Sequence, residues 1–215
     1  MSAVAAERLV YVVDDDEAVR DSLSVLLHAK GYTVGTFASA REFLAVAATL
    51  RDGVLIADIR MPEVDGLELQ QRLIGRSLNF PLIVITGHGD VPLAVRAMKA
   101  GAVDFIEKPF AVEVMLDSIA AAAERATATS ARGQVQDPLA TAAAARVAEL
   151  SPREREVLTG LLSGLPNKSI AYDLGISPRT VEIHRARVME KMRARSLSEL
   201  IRMSLAAGMQ PSSRS

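Results

Sequence analysis

An α/β, doubly wound five-stranded parallel sheet followed by a small all-α helix-turn-helix domain is the fold class that this 215-residue chain predicts. Three observations lead there. Short apolar runs alternate with helix-period segments over residues 1–127. The runs are continuously apolar rather than alternating, as strands buried on both faces must be. Residues 148–215 carry only helical patterns, punctuated for four short helices.

The strand candidates are 9–13 (Leu-Val-Tyr-Val-Val), 34–37, 54–57, 82–85 and 103–106. Between and after them lie helix-period segments at 18–29, 39–49, 67–74, 91–100 and 112–126, with Gly31, Gly66 and Gly101 as punctuation. Residues 128–147 are Ala-rich. The fifth helix is expected to extend into them and to break between Gly133 and Pro138. Residues 139–150 can then be helical again, because alanine has the best helix propensity, or form a flexible linker. Ser151-Pro152-Arg153-Glu154 reads as an N-cap, a proline at N1 and a glutamate at N3. That helix should end at Gly164. Asn167 is the expected cap of a second helix stopped by Gly175. Ser177-Pro178 caps a third reaching about residue 194, and Ser198 opens a fourth ended by Gly208. Two helices joined by Gly175-Ile176-Ser177 form a helix-turn-helix signature. The expected division is therefore 1–127, a partly helical linker at 128–147, and 148–215.

Charge divides the same way. Residues 1–127 carry 18 acids and 12 bases, whereas 148–215 carry 7 acids and 11 bases. The basic part is the candidate for a polyanionic partner. The absence of cysteine excludes disulfides and thiolate metal sites. No apolar run approaches the ~20 residues that span a bilayer, and no signal-peptide pattern opens the chain. A soluble, cytoplasmic protein without a membrane partner is expected.

The polar residues of the first part gather at strand ends. Asp14, Asp15 and Asp16 follow the first strand, Asp58 the third, Thr86 the fourth and Lys108 the fifth. In an open α/β sheet, ligands bind beyond the carboxyl ends of the strands, near the switch in strand order. Any one of these residues is ordinary there; four successive strand ends converging on one edge are not. Clustered carboxylates repel and call for a cation. With only oxygen donors, Mg²⁺ is favoured over a caged Ca²⁺.

Val13-Asp14-Asp15-Asp16, Asp58, Thr86, Phe105 and Lys108-Pro109 together resemble a response-regulator receiver domain. The stretches 85–92 and 97–110 are similar to the FixJ subfamily in particular. The resemblance implies a receiver, flavodoxin-like sheet. It implies Asp58 as phosphoacceptor, and Asp14, Asp15, Asp58 and the backbone carbonyl of Arg60 as the Mg²⁺ site. Thr86 and Lys108 would bind phosphoryl oxygens, Phe105 would be the aromatic switch, and Lys108-Pro109 would be cis. A sensor histidine kinase is the implied phosphodonor, with slow autodephosphorylation as the only turnover. The surface of the fourth helix, fifth strand and fifth helix, with candidate positions Val95, Lys99, Asp104, Glu107 and Val112, would form a homodimer on phosphorylation.

Stepping 100° per residue along the third C-terminal helix puts Val181, Val188 and Met192 within a stripe of about 40°. Glu182, Ile183, Ala186, Arg187, Glu190 and Arg193 fall on the other side, the side suited to a major groove. Glu182 can accept from cytosine, Arg187 can donate to guanine, and Ile183 and Ala186 can meet thymine methyls. Lys168, Arg179, Thr180, Arg185 and Lys191 suit phosphates. The segments 150–154, 164–168 and 177–181 resemble a LuxR-type helix-turn-helix. That implies a four-helix domain binding double-stranded DNA half-sites as a dimer, with RNA polymerase as a further partner. A rival remains for residues 12–16, whose Asp-x-Asp also fits the start of a haloacid-dehalogenase-type phosphatase. That fold expects its nucleophile on the first strand and a late acidic motif, which the chain lacks.

Overall fold

The computed structural model describes residues 8–87, 91–129 and 138–209. The break expected after Gly133, and His88, lie outside the described residues. The chain divides into two compact units. One holds a sheet with four helices; the other is helical and includes the helix between the fourth and fifth strands.

In the first unit the order is β1 (Leu9–Val13), α1 (Glu17–Ala29), β2 (Thr33–Phe37), α2 (Ala40–Val46), a 3₁₀ turn, β3 (Val54–Asp58), α3 (Gly66–Gly75), β4 (Leu82–Thr86), β5 (Asp104–Glu107) and α5 (Val112–Thr129). All strands are parallel, in the order β2-β1-β3-β4-β5. β3 and β4 are buried throughout and β1 from Val10 onward, as their continuous apolar character requires. The edge strands β2 and β5 are only partly buried. Side chains alternate between the faces. Val10, Val12, Ile56, Ile83 and Ile85 join Leu23 and Leu27 of α1 and Met115 and Ile119 of α5 in one core. Tyr11 points the other way, into a ring cluster with Phe37, Phe43 and Phe80 at centroid distances of 5.8–6.3 Å.

The helical unit contains α4 (Val91–Lys99), α6 (Pro138–Ala148), α7 (Pro152–Leu162), α8 (Asn167–Leu174), α9 (Pro178–Met192) and α10 (Leu197–Ala206). Val95 of α4 is buried, so it is not the surface position expected; its place on the apolar face of an amphipathic helix accounts for this. α7 begins with the full capping box: Ser151 Oγ accepts from the Glu154 N–H, and Glu154 Oε2 accepts from the Ser151 N–H at 2.8 Å. The cap expected at Asn167 is not made. Pro166 already supplies the extended entry to α8, and Asn167 becomes the first helical residue. Gly175 ends α8 in the left-handed region at φ 64°, where a glycine is not strained, and so sets the turn into α9. α9 stops at Met192, two residues before the expected end, and Ser196 rather than Ser198 caps α10.

Gly66 matters to the site. A Cβ placed there would lie 2.6 Å from the carbonyl oxygen of Asp58. Gly66→Ala should therefore cost about 1–3 kcal/mol of stability. Chemical denaturation checks this, with Gly75→Ala, which has open space around it, as the control.

Candidate functional site

The strand order reverses between β1 and β3, so the connections leaving these neighbours diverge and open a crevice at their carboxyl ends. Asp14 leaves β1 and Asp58 closes β3; both are buried, with 1% and 7% exposure. Lys108 follows β5 and reaches over to both carboxylates. Its ammonium donates to Asp14 Oδ2 at 2.8 Å and to Asp58 Oδ1 at 3.0 Å. Its backbone N–H donates to the Thr86 carbonyl at 2.7 Å, which ties the ends of β4 and β5 together. Thr86 is fully buried. The Lys108-Pro109 peptide is cis, as expected.

The remaining oxygens are also committed. Asp58 Oδ2 accepts from the Arg60 N–H at 2.7 Å, and Asp14 Oδ1 from the Asp16 N–H at 3.0 Å. Asp16, given no role from sequence, is the N-cap of α1 and accepts from the Ala18 N–H. Arg20, not singled out from sequence, donates to the Asp14 carbonyl at 2.8 Å. Its signal was a basic residue one turn inside the helix that follows the aspartates. Burial alone would lower the Lys108 pKa, but the hydrogen bonds and charges of Asp14 and Asp58 outweigh it and hold the pKa above its ordinary value.

Asp15 stands exposed at the mouth of the crevice. Among the described residues no three acidic or histidine side chains form a ready-made metal cage. Asp14 and Asp58 instead share the ammonium as their cation. Phe105 is half-buried on β5. Asp104 is tied to α5 through the Ser118 hydroxyl at 2.5 Å, whereas Lys99 and Glu107 are exposed and Val112 is half-buried.

In the helical unit, α9 divides as its periodicity predicts. Val181, Val188 and Met192 are fully buried. Glu182, Ile183, Ala186, Arg187, Glu190 and Arg193 are exposed, Ile183 at 48%. Lys168 and Arg179 are exposed, and Arg185 is half-buried. Thr180 lies in the first turn, where its N–H donates to the capping Ser177 Oγ. Lys191 departs from expectation. Its ammonium donates to the buried Glu154 at 2.7 Å and to the Glu149 carbonyl at 3.3 Å, rather than standing free for a phosphate. A carboxylate buried at 4% exposure needs a cation, and Lys191 lies on the flank of α9 that supplies one. The Lys191 hydrogen bond, then that of the Ser151 backbone, lowers the Glu154 pKa from 4.5 to about 2. Tyr172, also missed from sequence, is 88% exposed on α8.

An acidic crevice at the switch point of a parallel sheet stands in one chain with a capped helix-turn-helix, the two-part plan of a signal-responsive regulator. The response regulator receiver domain family matches residues 10–120, and the luxR family of bacterial regulatory proteins matches residues 148–204. The chain belongs to the response-regulator family: it is a two-component response regulator of FixJ type that acts as a transcription factor through a LuxR-type helix-turn-helix. It is 55% identical over 203 residues to the transcriptional regulatory protein FixJ of Rhizobium meliloti (strain 1021), covering 94% of this chain and 98% of that one. It is 50% identical over 203 residues to FixJ of Bradyrhizobium diazoefficiens, covering 93% and 96%. The crystal structure of full-length FixJ from B. japonicum aligns with a TM-score of 0.56 at 48% identity, covering 96% of this chain and all of that one.

The Glu154 pKa sets an acid window. Because the folded value lies below the unfolded one, the stability that Glu154 contributes is complete above 4.5 and is lost as pH falls toward about 2. The melting-temperature gap between wild type and Glu154→Gln should therefore be full near neutrality and close over that interval. Thermal denaturation across the pH series checks it.

Proposed function

We propose that Asp58 is the residue phosphorylated by a sensor histidine kinase, and that this modification controls promoter binding by α9. The observation that carries the reading is the Lys108 ammonium held between Asp14 and Asp58 at the β1/β3 switch point. An Asp58 oxygen attacks the phosphorus of a phosphohistidine. The P–N bond breaks, the imidazole departs with the bonding pair, and an acyl phosphate forms. Lys108 already lies on Asp58 and is placed to pair with the phosphoryl oxygens. The Thr86 hydroxyl serves the same group, and Phe105 follows Thr86 as the switch residue.

The donor set suits a hard divalent ion, since Asp14, Asp15, Asp58 and the Arg60 carbonyl are all oxygen ligands. Mg²⁺ would supply neutralising charge for the acceptor carboxylate and the incoming phosphoryl group. Slow hydrolysis of the acyl phosphate resets the protein; it is a regulator, not a turnover enzyme. An apolar cavity of about 410 Å³ beside Lys108, lined by Ala18, Val19, Leu26, Pro109 and Phe110, supports the kinase docking next to the acceptor. The phosphorylated receiver domain, 1–127, forms a homodimer that uses Lys99, Asp104 and Glu107. Residues 128–147 connect it to the reader, 148–215.

On DNA, α9 enters the major groove with Glu182, Ile183, Ala186 and Arg187 toward the base edges, while Lys168, Arg179, Thr180 and Arg185 serve phosphates. RNA polymerase is the downstream partner, in the cytoplasm where kinase and promoter meet. Among the described residues no helix is long and apolar enough to cross a membrane.

Incubation with a labelled small acyl phosphate should label wild type and not Asp58→Asn. Footprints of the treated proteins should then differ, and identical footprints would sink the switch. Lys108→Met should lose roughly 1–3 kcal/mol of stability near neutral pH, because the Asp14 and Asp58 carboxylates lose their shared charged donor. Titrating Mg²⁺ should raise its melting temperature more than that of wild type.

A further inference from the structure

The segment that connects the two matched families does not end where the reader begins. The match to the DNA-binding family starts at residue 148, yet α6, just before it, packs against α9 and α10. It buries Ala143 and Val147, and Leu150 follows them into the interior. Arg146, half-buried on α6, donates from its guanidinium to the Met192 carbonyl at 3.1 Å. Met192 is the last residue of α9, and the following Arg193 turns away in the left-handed region at φ 53°.

A helix C-terminus has carbonyls without intrahelical partners and the negative end of the helix dipole. A guanidinium is well suited to satisfy both. The surrounding bonds make this end of α9 a clasp. Lys191 donates to the Glu149 carbonyl and to Glu154, and Arg155 of α7 donates back to the Val147 carbonyl at 2.8 Å. The last turn of the recognition helix is thus fastened to the exit of the connecting helix by charged groups from both sides.

We propose that Arg146 is a positioning residue for DNA reading: by holding the Met192 carbonyl, α6 sets how α9 is presented to the groove. Arg146 acts through α9 and touches no base. The connecting helix is then a working part of the reader, and any displacement of α6 is transmitted to the residues that face the bases. A lost base contact is specific to sequence, whereas a lost phosphate contact weakens all duplexes alike and lowers the salt dependence.

That difference supplies the test. Full-length wild type, Arg146→Gln and Arg146→Lys, all treated with a small acyl phosphate, are titrated with two duplexes of equal length. One is selected from a random pool by the wild-type chain, and the other is its shuffled sequence. Arg146→Gln should weaken binding to the selected duplex about ten-fold, leave the shuffled duplex unchanged and keep the same slope of log K against log salt. Arg146→Lys, which retains a charged donor, should recover part of the loss. Equal losses on both duplexes with a slope reduced by about one would make Arg146 a phosphate ligand instead. Unchanged affinity for both duplexes would reduce α6 to packing. Melting curves of the three proteins separate loss of fold from loss of position. If wild type itself selects no duplex, the DNA-reading assignment fails, which is a different result from any of these.

Discussion

The Lys108 ammonium between Asp14 and Asp58 is the interaction on which the receiver unit's working end depends. Two carboxylates buried side by side at the ends of adjacent strands repel each other, and a protein interior does not screen them. One cation, delivered from β5, makes both anions tolerable at once. It also brings three strand ends into a single site, since the Lys108 N–H is bonded to the end of β4 while its side chain reaches the ends of β1 and β3. The Arg60 and Asp16 N–H groups fix the other carboxylate oxygens, and Arg20 holds the Asp14 carbonyl. The Asp58 carboxylate is thus pre-oriented by the same bonds that stabilise it.

The helical unit repeats this logic with a single carboxylate. There the buried group is Glu154, at the first turn of α7, and its cation comes from Lys191 of α9. The capping box adds two side-chain-to-backbone bonds to the same corner. Removing or displacing either partner of such a pair leaves a buried charge uncompensated, so the pair penalises any arrangement that separates them. Helix α9 is consequently held at its C-terminal end by charge and along its inner face by Val181, Val188 and Met192. Its other face is left to solvent.

Much of this was legible in the chain. Continuous apolar runs marked β1, β3 and β4 because both faces of those strands are covered. The acidic site was legible because strand ends in a parallel sheet all open on one edge, so residues far apart in sequence share a position by topology alone. The faces of α9 followed from a 3.6-residue period. The misplacements have a common origin. Lys191 and Asn167 were assigned from the element they sit on, but their roles were decided by neighbours on other elements. Glu154 claimed the Lys191 ammonium, and Pro166 took the place where Asn167 would have capped. Val95 was expected at the surface, and packing of the apolar face of α4 buried it.

By itself, then, the sequence determined the elements, the parallel sheet with its acidic edge, the helix-turn-helix and the residues facing outward from it. These follow from periodicity, capping residues and strand-end placement, all of which are local. Only the tertiary structure decided which charges are spent on each other: Lys108 on Asp14 and Asp58, Lys191 on Glu154, and Arg146 on the Met192 carbonyl. Such pairings depend on distances of about 3 Å between groups far apart along the chain. A buried charge takes whichever partner the fold brings within that reach.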